Sequence, residues 1–127
     1  MQNYKELNVW KEAHILTLKI YKATMSFPEY EKYCITNQIR RSSYSIPCNI
    51  AEGCGKYSQA DIANYFQMAL GSANETDYLL LLSKDLQYLS NDLFAELTEA
   101  INKIKAMLIA LIKRVRALHT TTIQTTK

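Results

Sequence analysis

Residues 91–118, NDLFAELTEAINKIKAMLIALIKRVRAL, decide the fold: Leu93, Leu97, Ile101, Ile104, Leu108, Leu111, Val115 and Leu118 recur at spacings of three and four. That spacing sets one apolar stripe along a long α-helix, and the stripe needs other helices to cover it. The rest of the chain supplies them. Val9, Ala13, Leu16, Ile20, Ala23 and Phe27 form a second stripe, widened by Trp10 and Tyr21. Phe27-Pro28-Glu29 stops that helix and starts the next, because proline suits a first helical turn and Glu29 with Glu31 complements its positive end. The second helix runs from about Pro28 toward Gly53, with Ile35, Ile39, Ser42, Ile46 and Ile50 as its seam. Gly53 and Gly55 can supply the left-handed residue that ends it.

Ser58-Gln59-Ala60-Asp61 reads as a capping box for a third helix. Its inner face is expected to be Ile62, Tyr65, Ala69, Ser72, Thr76, Leu79, Ser83 and Leu86, with Gly71, Ser72 and Ala73 as a small-residue notch for a large neighbour. Leu89 to Asp92 is the last turn and cap. The fold class is therefore all-α, an antiparallel up-and-down four-helix bundle formed by residues 1–118 as one domain, followed by a flexible tail over 119–127.

One interior position resists this pattern. Pro47 lacks the amide that would bond the Ser43 carbonyl, and its ring crowds that carbonyl, which costs about 3 kcal/mol if uncompensated. A kink or break in the second helix is expected near Ser43 to Ile46. Ser42, Ser45 and Asn49 can bond the carbonyls that Pro47 frees, while a fork from Arg40 or Arg41 meets Glu75 on the third helix. Arg41 and Glu52, eleven residues apart, share a face but stand too far apart to touch. The expected structural polar network is thus Arg40, Arg41, Ser45, Asn49, Glu52, Ser72 and Glu75.

Composition narrows the function classes. Three glycines and two prolines in 127 residues are too few for an all-β chain. Cys34, Cys48 and Cys54 match no paired metal-ligand spacing, and only His14 and His119 could supplement them, so reduced thiols in the cytoplasm are expected and neither a metal nor a cofactor. The N-terminus has no continuous apolar run, so neither a signal peptide nor a membrane span is expected there. No glycine-rich phosphate loop, carboxylate cluster or base-paired nucleophile is present, so no catalytic residue is named and no small-molecule substrate is expected.

Charge is distributed unevenly. Residues 1–28 hold four basic and two acidic groups, residues 29–100 five and ten, and residues 101–127 six and none, giving +2, −5 and +6. One end of the bundle is expected to be positive. Lys103, Lys105, Lys113, Arg114 and Arg116 can simply offset the dipole of an apolar helix, or they can bind a phosphate backbone once a symmetric assembly gathers them. No aromatic residue interleaves with this run, so base stacking on that surface is not expected. Trp10, Tyr21, Leu80, Leu81, Phe94, Ile109 and Ile112 fall outside the inward positions, and such apolar surface predicts a homo-oligomer.

The order Leu7-x-Val9-Trp10, Phe27-Pro28-x-x-Glu31, Gln38-Ile39-Arg40-Arg41-x-x-x-Ser45-Ile46-Pro47-x-Asn49-Ile50-Ala51-Glu52-Gly53 and Ala69-x-Gly71-Ser72-x-x-Glu75 carries a resemblance. It resembles the four-helix bundle proteins encoded in intervening sequences of bacterial 23S ribosomal RNA genes, a group that includes the accessory variability determinants of diversity-generating retroelements. Asp77 departs from the glutamate usual in that pattern. The resemblance implies a barrel-like pentamer with a basic surface, associated with RNA, DNA or a ribonucleoprotein. The alternative function is a protein–protein scaffold with no nucleic-acid role.

Overall fold

The computed structural model describes the backbone of residues 2–126 and the side chains of residues 2–118. The tail expected at 119–127, and His119 within it, fall outside the residues whose side chains are described. The described residues form four α-helices: α1 (Asn8–Thr24), α2 (Ile35–Cys54), α3 (Gln59–Asp85) and α4 (Asn91–Thr126). Short 3-10 turns at Tyr4–Glu6 and Glu29–Glu31 precede α1 and α2, and no strand occurs among the described residues. Each helix packs on two neighbours, α1 and α3 both lying against α2 and α4. The result is a four-sided bundle around one core.

The stripes explain that core. Val9, Ala13, Leu16 and Ile20 of α1, Ile35, Ile39, Ile46 and Ile50 of α2, and Leu97, Ile101, Ile104 and Leu108 of α4 are all buried. Burying such side chains contributes about 1.5–3 kcal/mol each relative to leaving them exposed. The helix starts are capped as their sequences imply, with Ser58 Oγ accepting from Asp61 N at 3.1 Å and Ser90 Oγ accepting from Leu93 N at 3.1 Å.

Several expectations are corrected. The second helix begins at Ile35 rather than Pro28, because Tyr30 and Tyr33 point to solvent and the intervening residues have no apolar face to bury. Pro47 does not break α2, which runs unbroken from Ile35 to Cys54. Neither Gly53 nor Gly55 is left-handed; that role falls to Gln87, whose φ is 66° at the end of α3. There Tyr88 N donates to Ser83 O and Gln87 N to Lys84 O, closing the helix without glycine.

The inner face of α3 is also rotated from the expected one. Ala69, Thr76, Leu79 and Ser83 are inside as anticipated, but Ala63, Phe66, Ala73 and Leu80 replace Ile62, Tyr65, Ser72 and Leu86. Apolar residues of α3 fall on more than one side, with Met68, Tyr78 and Leu81 exposed, and this blurs the periodicity that would choose a face. Ile112, expected outside, is buried in α4, whereas Leu118 is exposed.

Glycine has a role at only one of these helix contacts. A Cβ on Gly53 would lie 2.9 Å from Phe66 Cε1 and 3.0 Å from Tyr65 Cβ, so the missing side chain lets α2 and α3 close together. Gly71 is exposed and a Cβ there would meet nothing within 4 Å, so the expected notch is not where neighbours approach. The same substitution should therefore have opposite signs at the two sites. Gly53→Ala is expected to destabilise by about 1–3 kcal/mol through overpacking, and Gly71→Ala to stabilise by up to about 1 kcal/mol through helix propensity. Urea unfolding midpoints of both variants check this, and equal shifts would refute it.

Candidate nucleic-acid interface

The basic run of α4 divides into residues that are used within the bundle and residues that face outward. Lys103 and Lys105 stand on opposite flanks of the helix, because two residues rotate it by about 200°. Lys103 Nζ donates to Glu12 Oε1 of α1 at 3.1 Å, and Lys105 Nζ to Asp77 Oδ2 of α3 at 2.8 Å. The Asp77 carboxylate thus has a partner across the α3–α4 seam. Both pairs are partly exposed, so each contributes no more than about 1 kcal/mol.

Three turns further along, Lys113 and Arg114 are exposed and Arg116 Nη2 donates to Gln67 Oε1 at 3.3 Å. Arg114 lines a cleft with Leu7, Asn8 and Val9, which brings the start of α1 to the same end of the bundle. It also lines a hollow with Cys54, Ile62 and Phe66, which brings in the α2–α3 connection. Lys5 and Lys11 flank the start of α1, and Lys56 sits in that connection with its ammonium 4.9 Å from the Tyr65 ring centroid. Cations from three parts of the chain therefore collect at one end. At the other end, the 3-10 turn before α2 carries Glu29 and Glu31. Glu31 Oε2 accepts from Tyr88 Oη at 2.7 Å. Hydrogen bonding with Tyr30 and Glu31 holds the Tyr88 phenol well above its usual range.

The polar residues of α2 are wired differently from the expected network. The Ser43 carbonyl, which Pro47 leaves without an amide, accepts from Thr17 Oγ1 of α1 at 3.2 Å. Thr17 shares that proton with Ala13 O at 2.8 Å. Arg40 does not reach Glu75; its Nε donates to Thr24 Oγ1 at 2.7 Å and its Nη2 to Tyr21 O at 3.2 Å. Glu75 instead accepts from Gln38 Nε2 at 2.7 Å. Arg41 and Glu52 are exposed.

Ser45 Oγ donates to Arg41 O at 2.7 Å and Asn49 Nδ2 to Ser45 O at 2.9 Å, so these two side chains stay within α2. Ser72 contributes its carbonyl, which accepts from Thr76 Oγ1 at 2.8 Å. Thr76 and Ser42 hydroxyls meet at 2.9 Å in the buried α2–α3 seam. The residues that sequence reasoning missed are thus Thr17 and Thr24. Their signal was available, since they lie seven apart beside the apolar stripe of α1.

Catalytic chemistry finds little to work with. Burial pushes the Cys54 thiol up, away from the reactive thiolate. Cys34 and Cys48 are exposed free thiols. Among the described residues no three His, Cys, Asp or Glu side chains gather in a way that could hold a metal ion, and no helix is long and apolar enough to cross a membrane.

The sequence model of one family, 23S rRNA-intervening sequence protein, matches residues 5–110. The chain belongs to the 23S rRNA-intervening sequence protein family. A solved relative in this fold is a protein of unknown function from the S23 ribosomal protein family of Bacteroides thetaiotaomicron. It is 30% identical, with a TM-score of 0.75 over 83% of this chain and 98% of that one. A comparison with curated proteins finds no match. The family match takes in Lys103 and Lys105 but stops at residue 110, before Lys113, Arg114 and Arg116.

The Thr17 contact generates a test within this family member. Thr17→Val keeps the shape but orphans the Ser43 carbonyl, at an expected cost of about 1–3 kcal/mol. In a Pro47→Ala background the backbone amide is restored and the same substitution should cost less. A double-mutant cycle by chemical denaturation measures the difference, and strict additivity would show that Thr17 does not serve the Ser43 carbonyl.

Proposed function

We propose that this 23S rRNA-intervening sequence family member is a non-enzymatic cytoplasmic bundle that binds RNA, DNA or a ribonucleoprotein through its basic end. The observation that carries this reading is the convergence of Lys113, Arg114 and Arg116 with Lys5, Lys11 and Lys56 on one end of the molecule. Lys103 and Lys105 are secondary in this reading, because each already faces a carboxylate. Phosphate contacts of this kind give salt-dependent and weakly sequence-selective affinity.

Self-association belongs to the same proposal. Ile15 and Leu18 on α1, Met25 just beyond it, and Met68, Tyr78 and Leu81 on α3 are exposed, and apolar surface on opposite sides of one subunit suits a closed ring such as a pentamer. A ring repeats the basic end around its rim and multiplies a weak charge. The same exposed side chains also support the second reading, a scaffold for another protein without nucleic acid.

Replacing Lys113 and Arg114 by glutamate should weaken RNA binding at least about tenfold and flatten its salt dependence by about two phosphate contacts. Filter binding across a salt titration measures both. Affinity that is flat in salt, or unchanged in the variant, would reject the basic-end reading. Light scattering at several concentrations tests the assembly, where a single 14.6 kDa species throughout would exclude the ring.

A further inference from the structure

A groove of about 520 Å³ opens between the outer edges of α1 and α2, and no residue of α4 lines it. Five of its ten lining residues carry flat rings, namely Tyr4, Trp10, His14, Tyr21 and Tyr44. Trp10 and His14 stack with ring centroids 5.1 Å apart and an interplanar angle of 8°, and Tyr4 meets Trp10 edge-on at 5.0 Å. Tyr21 and Tyr44 are 39% and 42% exposed, so the strip continues as ring surface open to solvent. From Trp10 to Tyr21 it follows three turns of α1, roughly 16 Å.

Two cations stand close to these rings. No acidic residue lines the groove. Lys5 holds its ammonium 5.9 Å from the Tyr4 ring centroid at one end, and the Arg40 guanidinium lies 4.7 Å from the Tyr21 ring centroid at the other. The carboxylate of α1 nearest in sequence, Glu12, is turned away toward Lys103 of α4. Flat rings between two cations suit a ligand with planar apolar faces joined by anionic links. Bases of any sequence have such faces, and they are free only where the strand is unpaired. An aliphatic protein ridge would leave both cations without a counter-charge.

We propose that this groove stacks the bases of unpaired, single-stranded nucleic acid, with Lys5 and Arg40 meeting the flanking phosphates. The inference rests on the nucleic-acid reading above and narrows it: the basic end of α4 attracts any phosphate backbone, whereas the α1–α2 groove selects the unpaired strand. The expectation that the α4 run itself stacks no bases is untouched, since the rings come from α1, α2 and the turn before α1.

Trp10 is the chain's single tryptophan and therefore reports directly on the groove. Titration of the full chain with oligouridine should quench its emission, and titration with a blunt RNA duplex should not. Tyr44→Ala should weaken oligouridine binding about ten- to a hundredfold, with duplex affinity unchanged and Tyr44→Phe retaining most of the binding. Charge reversal at Lys113 and Arg114 should lower both affinities. Unmoved Trp10 emission with intact salt-sensitive binding would overturn the groove and leave the basic-end reading standing. Absence of binding to either probe would overturn both. If light scattering shows that Tyr44→Ala changes the subunit number, the groove is a contact between copies of this chain and the proposal is wrong.

Discussion

The Ser43 carbonyl is the constraint around which α2 is placed. Proline at position 47 removes its normal donor, and a buried carbonyl without a donor costs about 1–3 kcal/mol. The Thr17 hydroxyl meets it from α1, so the defect in one helix becomes a tie between two. A threonine can do this because its hydroxyl also bonds Ala13 O and is thereby held toward the seam. The same device recurs one end further along, where Thr24 bonds Ile20 O and accepts from Arg40. Two helices that need each other for hydrogen bonds, as well as for apolar cover, have little freedom to slide.

On its other side α2 approaches α3 through small groups. Gly53 lies under the Phe66 ring, Ser42 meets Thr76, and Ala69 and Ala73 are fully buried. Larger side chains of α3 divide between its two sides: Phe66, Leu79 and Leu80 are buried, while Met68, Tyr78 and Leu81 stay exposed.

Electrostatics follows from how the chain folds back on itself. The cations of α4 are spread over fourteen positions in sequence, but Lys103 and Lys105 face carboxylates of α1 and α3 while Lys113 and Arg114 remain exposed. The cleft shared by Arg114 and Leu7 adds Lys5 and Lys11 to the same end. A basic sequence run is therefore a poor map of the basic surface. Two of its five cations face carboxylates within the bundle, and the remainder is reinforced by residues a hundred positions away.

By itself the sequence determined the four helices, most of their buried stripes, the caps at Ser58 and Ser90 and membership of the family, because these depend on periodicity and local hydrogen bonding. Leu97, Ile101, Ile104 and Leu108 could face only inward, whatever their neighbours. Tertiary structure decided which face of α3 turns in, since apolar residues such as Met68, Tyr78 and Leu81 also lie on its outer side and blur the stripe. It alone chose Thr17 for the Ser43 carbonyl and Thr24 for Arg40, because donors and acceptors 26 and 16 residues apart become neighbours only when α1 and α2 dock. The aromatic groove was hidden for the same reason: Tyr44 lies far from Tyr4 and Trp10 in the chain, and the three form one surface only when α1 and α2 dock.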